Sequence, residues 1–210
     1  MKITVNRIKK TIRKQLILDD ISGEFQSGNI YGIRGKNGSG KTMFIKALCG
    51  LLHVDEGTIT IDGKVLGKDM DFPESVGLLI EYPGFPGGLN AYDNLKVISS
   101  IKGKATDSDI IETIRRVGLE NDVLKKCRQY SLGMRQKLGI AAAIMEKPDI
   151  ILLDEPTNGL DDESVGKLQR ILLEEKNRGA IILLVSHDLD ELEKLSDELF
   201  IMKEGRLEKV

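Results

Sequence analysis

Two stretches rich in Ile and Leu, Ile150–Leu153 and Ala180–Val185, are apolar at every position. Runs of that kind suit central parallel strands buried on both faces. Around them, short β-branched runs alternate with longer segments of helical period, which predicts an α/β fold. Strands are predicted at Ile3–Val5, Gln15–Leu18, Ile30–Arg34 and Thr58–Ile61, separated by Gly, Asp and Asn turn residues. A helix is predicted after Lys41, with Phe44, Ile45, Leu48, Leu51 and Leu52 on its buried side. From about 83 to 129 the pattern is mostly helical. Thr106 suits the cap of a helix whose Ile110, Ile114 and Val117 form a stripe, and Gly118 stops it. Further helices are predicted over Gly133–Met145, stopped by Pro148, and from about Asp161 to Arg178, ended by Gly179. The segment Glu198–Val210 reads as two short strands around the turn at Glu204-Gly205.

Composition narrows the class. With 210 residues, 40% apolar and 30% charged, the chain has enough interior for a real core and is no disordered tail. Lys and Arg total 31 against 33 acids, a net charge of -2 that argues against coating nucleic acid or anionic lipid. The longest apolar runs are far short of the ~20 residues a bilayer-spanning helix needs, and no basic leader precedes an apolar stretch. Neither a span nor a signal peptide is expected. Cys49 and Cys127 lack metal-ligand spacing and fit small apolar residues in a reducing cytoplasm. The basic N-terminal segment and the acidic stretch from Asp188 to Glu198 read as solvated faces, as does His53.

The segment Gly35-Lys36-Asn37-Gly38-Ser39-Gly40-Lys41-Thr42 matches G-x-x-x-x-G-K-[ST] in full, between a predicted strand and a predicted helix. Wrapping a polyphosphate in backbone N–H groups requires side chains to be absent and φ > 0 to be allowed, which Gly35, Gly38 and Gly40 permit. The helix N-terminus adds partial positive charge. Lys41 is placed to reach the β- and γ-phosphates, and Thr42 to ligate Mg²⁺. The nucleotide site is thus assigned to residues Gly35 through Thr42 and the adjoining Met43.

The apolar run ending at Leu153 is followed by Asp154 and Glu155. Carboxylates at the C-terminal end of a buried parallel strand lie where open α/β sheets bind ligands. Successive strand residues face opposite sides, so the two acids can divide the work. Asp154 suits holding Mg²⁺, and Glu155 suits accepting a proton from an attacking water. His187 ends the next apolar strand on the same edge, where an imidazole can orient the phosphate and the water.

With Tyr130-Ser131-Leu132-Gly133-Met134-Arg135-Gln136 about 20 residues before that acidic strand end, the set closely resembles the ATP-binding subunit of ABC transporters. The heptapeptide resembles the family's signature motif, Asn158-Gly159-Leu160-Asp161 its D-loop, and His187 its switch histidine. The likeness runs from about 2 to 208. It implies a P-loop cassette with a mixed sheet core (1–80 and 147–210), flanking helices and an inserted helical subdomain (81–146). It further implies ATP and Mg²⁺ as bound species, and catalytic roles for Lys41, Glu155 and His187. Two cassettes pair head to tail in this family, so Ser131, Gly133 and Gln136 are expected to cover the nucleotide held by a twin. Ser131 independently reads as an N-cap, with Gly133 keeping that helix start bare.

Two positions depart from the family pattern. Glu81 stands where the family has a glutamine that touches Mg²⁺ or the water, and its carboxylate is expected to join Thr42 and Asp154 as a Mg²⁺ ligand. Ile12 stands, by alignment, where an aromatic stacks on adenine. The segment Glu81-Tyr82-Pro83-Gly84-Phe85, taken with the signature, resembles exporter ATPases of antibiotic-peptide resistance and lantibiotic immunity. A separate permease is then implied, docking near Glu81–Leu95, with Tyr82, Phe85 and Tyr92 either lining that groove or belonging to core. The expected place is the cytoplasmic face of the cell membrane. A cassette acting on ribosomes or DNA is the alternative. Relatives of that kind carry two cassettes or a long coiled coil between the motifs, and neither is present.

Overall fold

The computed structural model describes residues 1–80 and 84–210. The first part of the chain is β1 (Lys2–Ile12), β2 (Gln15–Gln26), β3 (Asn29–Arg34), α1 (Lys41–Leu48), β4 (Glu56–Ile61), β5 (Lys64–Val65) and β6 (Val76–Leu79). A helical stretch follows, comprising α2 (Ala91–Lys102), α3 (Asp107–Arg116), two one-turn helices and α4 (Leu132–Ile144). The chain then alternates through β7 (Ile150–Asp154), α5 (Asp162–Asn177), β8 (Ile181–Ser186) and α6 (Leu189–Leu195), and closes with β9 (Glu198–Lys203) and β10 (Arg206–Lys209).

The strands form two sheets. One is antiparallel, in the order β2-β1-β4-β5; the other runs β10-β9-β3-β8-β7-β6. In the second, β6, β7, β8, β3 and β9 are mutually parallel and only β10 is antiparallel. The two all-apolar runs are its central strands, β7 and β8, each buried at every position. Their alternation divides the interior. Ile151, Leu153, Ile182 and Leu184 face a core shared with α2, α3, α4 and α5. Ile150, Leu152, Ile181, Leu183 and Val185 face a second core with α1 and the antiparallel sheet. The helical segment therefore packs on one face of the parallel sheet.

Local chemistry sets the helix ends. Thr106 and Asp109 form a reciprocal capping box at α3, and Gly118 follows that helix with φ 74°. Asn90, Ser131 and Asp161 cap α2, α4 and α5 through their side chains. Gly179, at φ 99°, stands just beyond α5.

Three expectations are corrected. β1 continues seven residues beyond Val5, to Ile12; bulges between Val5 and Ile8 and on to Lys10 break the alternation that marks a strand in sequence. Leu51 is exposed rather than buried, because α1 stops at Leu48 and Gly50 turns the chain away at φ 83°. β6 was not expected. Gly77 at its centre reads as a breaker, yet here a Cβ would collide with the Ala143 carbonyl of α4, so glycine lets helix and strand touch.

Candidate functional site

The edge of the parallel sheet where β3, β7 and β8 end gathers the chemistry. Between β3 and α1 the chain makes the glycine-rich loop, with Gly38 at φ 81° and Gly40 at φ 109°. Gly35 does not adopt a positive φ, contrary to expectation. Its missing side chain is needed for space: a Cβ there would stand 2.5 Å from Ser39 Oγ and 2.6 Å from the Met202 carbonyl. The Ser39 hydroxyl is buried and has no hydrogen-bond partner among the described residues. An orphaned donor in a loop of this shape calls for an anionic acceptor from outside.

Lys41 opens α1 and is buried. Its Nζ donates to the Gly35 carbonyl at 2.6 Å and the Lys36 carbonyl at 3.4 Å, and stands 3.8 Å from Glu155 Oε1. The ammonium is thus held over the loop it must serve. Next to it, Thr42 Oγ1 donates to Asp154 Oδ2 at 2.5 Å. A hydroxyl and a carboxylate meeting beside a phosphate loop form a hard-oxygen donor pair of the type Mg²⁺ prefers. Among the described residues no three His, Cys, Asp or Glu side chains converge as a metal cage. Mg²⁺ needs none, since it keeps several waters and takes further oxygens from phosphate. The donor set fits the ion.

Glu155 follows β7 at φ 48°, in the left-handed region. Its Oε2 accepts from Ser186 Oγ at 3.1 Å and lies 2.9 Å from His187 Nδ1. Parallel pairing of β7 with β8, which sets Asp154 opposite Val185, places those partners alongside it. The carboxylate therefore has a cation on one side and two proton donors on the other. His187 keeps much of its ring exposed. Ser186 stands out only in the folded chain, as the strand-end neighbour of His187.

Two cavities flank the loop. One, of about 690 Å³, is lined by Lys36, Asn37, Gly38, Gly40, Lys41, Thr42 and Met43 together with Asp154 and Glu155. The other, of about 750 Å³, lies toward β9 and is lined by Arg34, His187 and Lys203 as well as the loop. The first holds the acids and the lysine and is the chemically equipped one. Its far wall corrects an expectation. Ile12 does not line it, whereas Gln15 and Ile17 do, three and five residues further on across the β1–β2 hairpin. No aromatic ring lines it among the described residues.

The signature residues separate. Ser131 accepts from the Met134 amide at 3.2 Å and is exposed at the start of α4, outside the cavity of its own chain. Gly133 packs against the D-loop so closely that a Cβ would collide with the Gly159 carbonyl. The preceding Tyr130 anchors the turn by donating its hydroxyl to the Asp122 carbonyl at 3.2 Å. Its burial pushes that phenol up to about 12. Gln136 is placed otherwise than expected. It is 2% exposed, and its Nε2 donates at 2.8 Å to the Glu155 carbonyl of the same chain. It lines the phosphate-loop cavity of its own chain, beside Asp154, Glu155 and Asn158. Glu81 and Tyr82 lie outside the described residues. Phe85 and Tyr92 pack partly buried against the helical core.

Comparison with known proteins bears on these features together. Residues 18–158 match the family description "ABC transporter". The chain is 50% identical over 206 residues to the ABC transporter ATP-binding protein YybJ of Bacillus subtilis (strain 168), covering 98% of this chain and 94% of that protein. It is 35% identical over 206 residues to the lantibiotic transport ATP-binding protein SrtF of Streptococcus pyogenes, covering 98% and 88%. Among solved structures, the fold superposes with a TM-score of 0.88 on the dimeric ATP-binding cassette MJ0796 bound to ADP and Pi, at 22% identity over 99% of this chain and 98% of that one.

Proposed function

The chain belongs to the ABC transporter family as one of its Mg²⁺-dependent, ATP-hydrolysing subunits, and from that premise we propose that it drives export of a peptide or drug-like compound through a separate membrane permease. The observation that carries the hydrolytic reading is the Glu155 carboxylate, held between Lys41, Ser186 and His187 beside the Thr42–Asp154 pair. The likeness to SrtF, a lantibiotic transport protein, supports the class of cargo. No helix among the described residues is long and apolar enough to cross a membrane.

The residues divide the work as follows. Loop amides of Gly35 to Lys41 and the Ser39 hydroxyl wrap the phosphate tail, and Lys41 exchanges its loop carbonyls for β- and γ-phosphate oxygens. Thr42 and Asp154 hold Mg²⁺, which when bound neutralises charge accumulating on those phosphates. Glu155 takes the proton of the attacking water, and His187 orients water and phosphate. Ile17 and Gln15 receive the base. The exposed turn at Ser131 and the N-terminus of α4 cover the nucleotide of a second cassette, giving a pair of two-fold symmetry with two shared sites. MJ0796, whose fold this chain shares, is itself dimeric. In this reading the segment 81–146 is an inserted subdomain at the cytoplasmic membrane face. Closure of the pair expels water and strengthens charge contacts at the phosphates, and opening resets the permease.

Affinity capture from membranes with a Glu155→Gln bait and ATP tests the assignment. Recovery of a polytopic membrane protein in fixed ratio to the bait is expected. Recovery of ribosomes or DNA in its place would overturn the transport reading.

A further inference from the structure

Glu155 occupies a backbone position that few glutamates adopt. It sits at φ 48° and immediately precedes Pro156. Left-handed backbone is costly for a residue with a β-carbon, and a following proline restricts it further. Such a conformation persists only where the surroundings over-determine it. Three hydrogen bonds do so here. The Glu155 amide donates to the Val185 carbonyl at 2.8 Å, and the Glu155 carbonyl accepts from the Asn158 amide at 3.2 Å and from Gln136 Nε2 at 2.8 Å. The first two come from the adjoining strand and the turn itself. The third is a side chain from another element, α4, and is buried.

We propose that Gln136 is a positioning residue for the catalytic carboxylate: by fixing the Glu155 carbonyl it fixes the Cα from which the side chain projects toward Lys41, Ser186 and His187. The inference rests on Glu155 being the general base. Without the amide donor, the strained peptide is free to relax, and the carboxylate swings away from the attacking water. Misplacement on that scale lowers the chemical step and leaves the phosphate loop's grip on nucleotide intact. Gln136 borders the nucleotide cavity, with its amide nitrogen turned to the Glu155 carbonyl. Its effect on the Glu155 carboxylate passes through that backbone oxygen.

The test uses Gln136→Leu and Gln136→Glu in the full chain, with ATP affinity, KM and kcat measured across pH. Gln136→Leu keeps size but loses the donor. It is expected to lower kcat by roughly 10- to 100-fold with KM and ATP affinity within about 3-fold. Gln136→Glu can donate only while its carboxyl is protonated, so its kcat relative to the parent should decline as pH rises through that titration. A merely structural glutamine would give a ratio independent of pH. Retained ATP affinity certifies the fold of each variant, and if Gln136→Leu does not fold, the pH ratio of Gln136→Glu decides alone. An unaltered kcat in Gln136→Leu, or a flat ratio, overturns the inference. Normal turnover by Glu155→Gln would instead remove the general-base reading, whatever Gln136 does.

Discussion

His187 Nδ1 lies 2.9 Å from Glu155 Oε2, the oxygen that also accepts the Ser186 hydroxyl at 3.1 Å. Two donors on one oxygen leave Oε1 on the Lys41 side, where it has the cation at 3.8 Å. A carboxylate fixed in this way presents a defined lone pair to the space over the phosphate loop. Glu155→Gln keeps the shape and removes the basicity. Turnover should fall by about 10²-fold or more while nucleotide affinity persists. Phosphate release and size-exclusion chromatography with ATP should reveal a dead enzyme trapped as a pair.

Ser186→Ala removes one of those two donors, together with the acceptor that the Ser186 hydroxyl offers the Asp188 amide at 3.1 Å. A neutral hydrogen bond is worth about 1 kcal/mol net, so a loss of roughly 3- to 10-fold in kcat is expected, with KM unchanged. A larger rise in KM than fall in kcat would mean that Ser186 serves binding and not the orientation of Glu155.

Lys41→Ala should weaken ATP binding sharply, because the ammonium is the buried cation of the loop and lies beside its carbonyls. Titration with a fluorescent ATP analogue measures the effect. Undiminished affinity would contradict the assignment of the loop.

Two glycines predict opposite outcomes for the same change. Gly133→Ala would push a methyl group into the Gly159 carbonyl, and crowding of this kind costs ~1–3 kcal/mol. Its melting temperature should fall and ATP-driven pairing weaken. Gly166 lies within α5, and a Cβ there meets nothing within 4 Å. Gly166→Ala should therefore stabilise the chain by roughly 0.4–1 kcal/mol, through reduced freedom of the unfolded state.

The wall of the nucleotide cavity offers Ile17 where a ring would stack. Ile17→Tyr should tighten adenine nucleotides by about 1 kcal/mol, roughly fivefold in Kd. Ile12→Tyr, off that wall, should leave the affinity unaltered. Reversal of the two results would return the base to Ile12.

Much of this arrangement was legible in the chain because its signals are local. The glycine-rich loop carries its own spacing, and all-apolar runs locate β7 and β8, with Asp154 and His187 at their ends. What escaped depends on pairs far apart in sequence. Ser186 acquires its partner from β7, 31 positions away. Gln136 belongs by spacing to the signature, and only folding reveals that its amide is taken up by Glu155. Ile17 replaces Ile12 on the cavity wall because the β1–β2 hairpin, bulged and polar, cannot be registered by alternation alone. Gly77 looked like an interruption because the helix it admits lies more than 60 positions later.

One helix carries both Ser131 at its cap and Gln136 a turn and a half inside. In the head-to-tail pairing proposed above, two unlike cassettes would show a crossed inheritance of damage. Loss of Ser131 in one chain would impair the neighbour's reaction centre, whereas loss of Gln136 would impair that chain's own. A degenerate centre in such a mixed assembly would then bear lesions split between the two subunits, one at the cap and the other along the shaft.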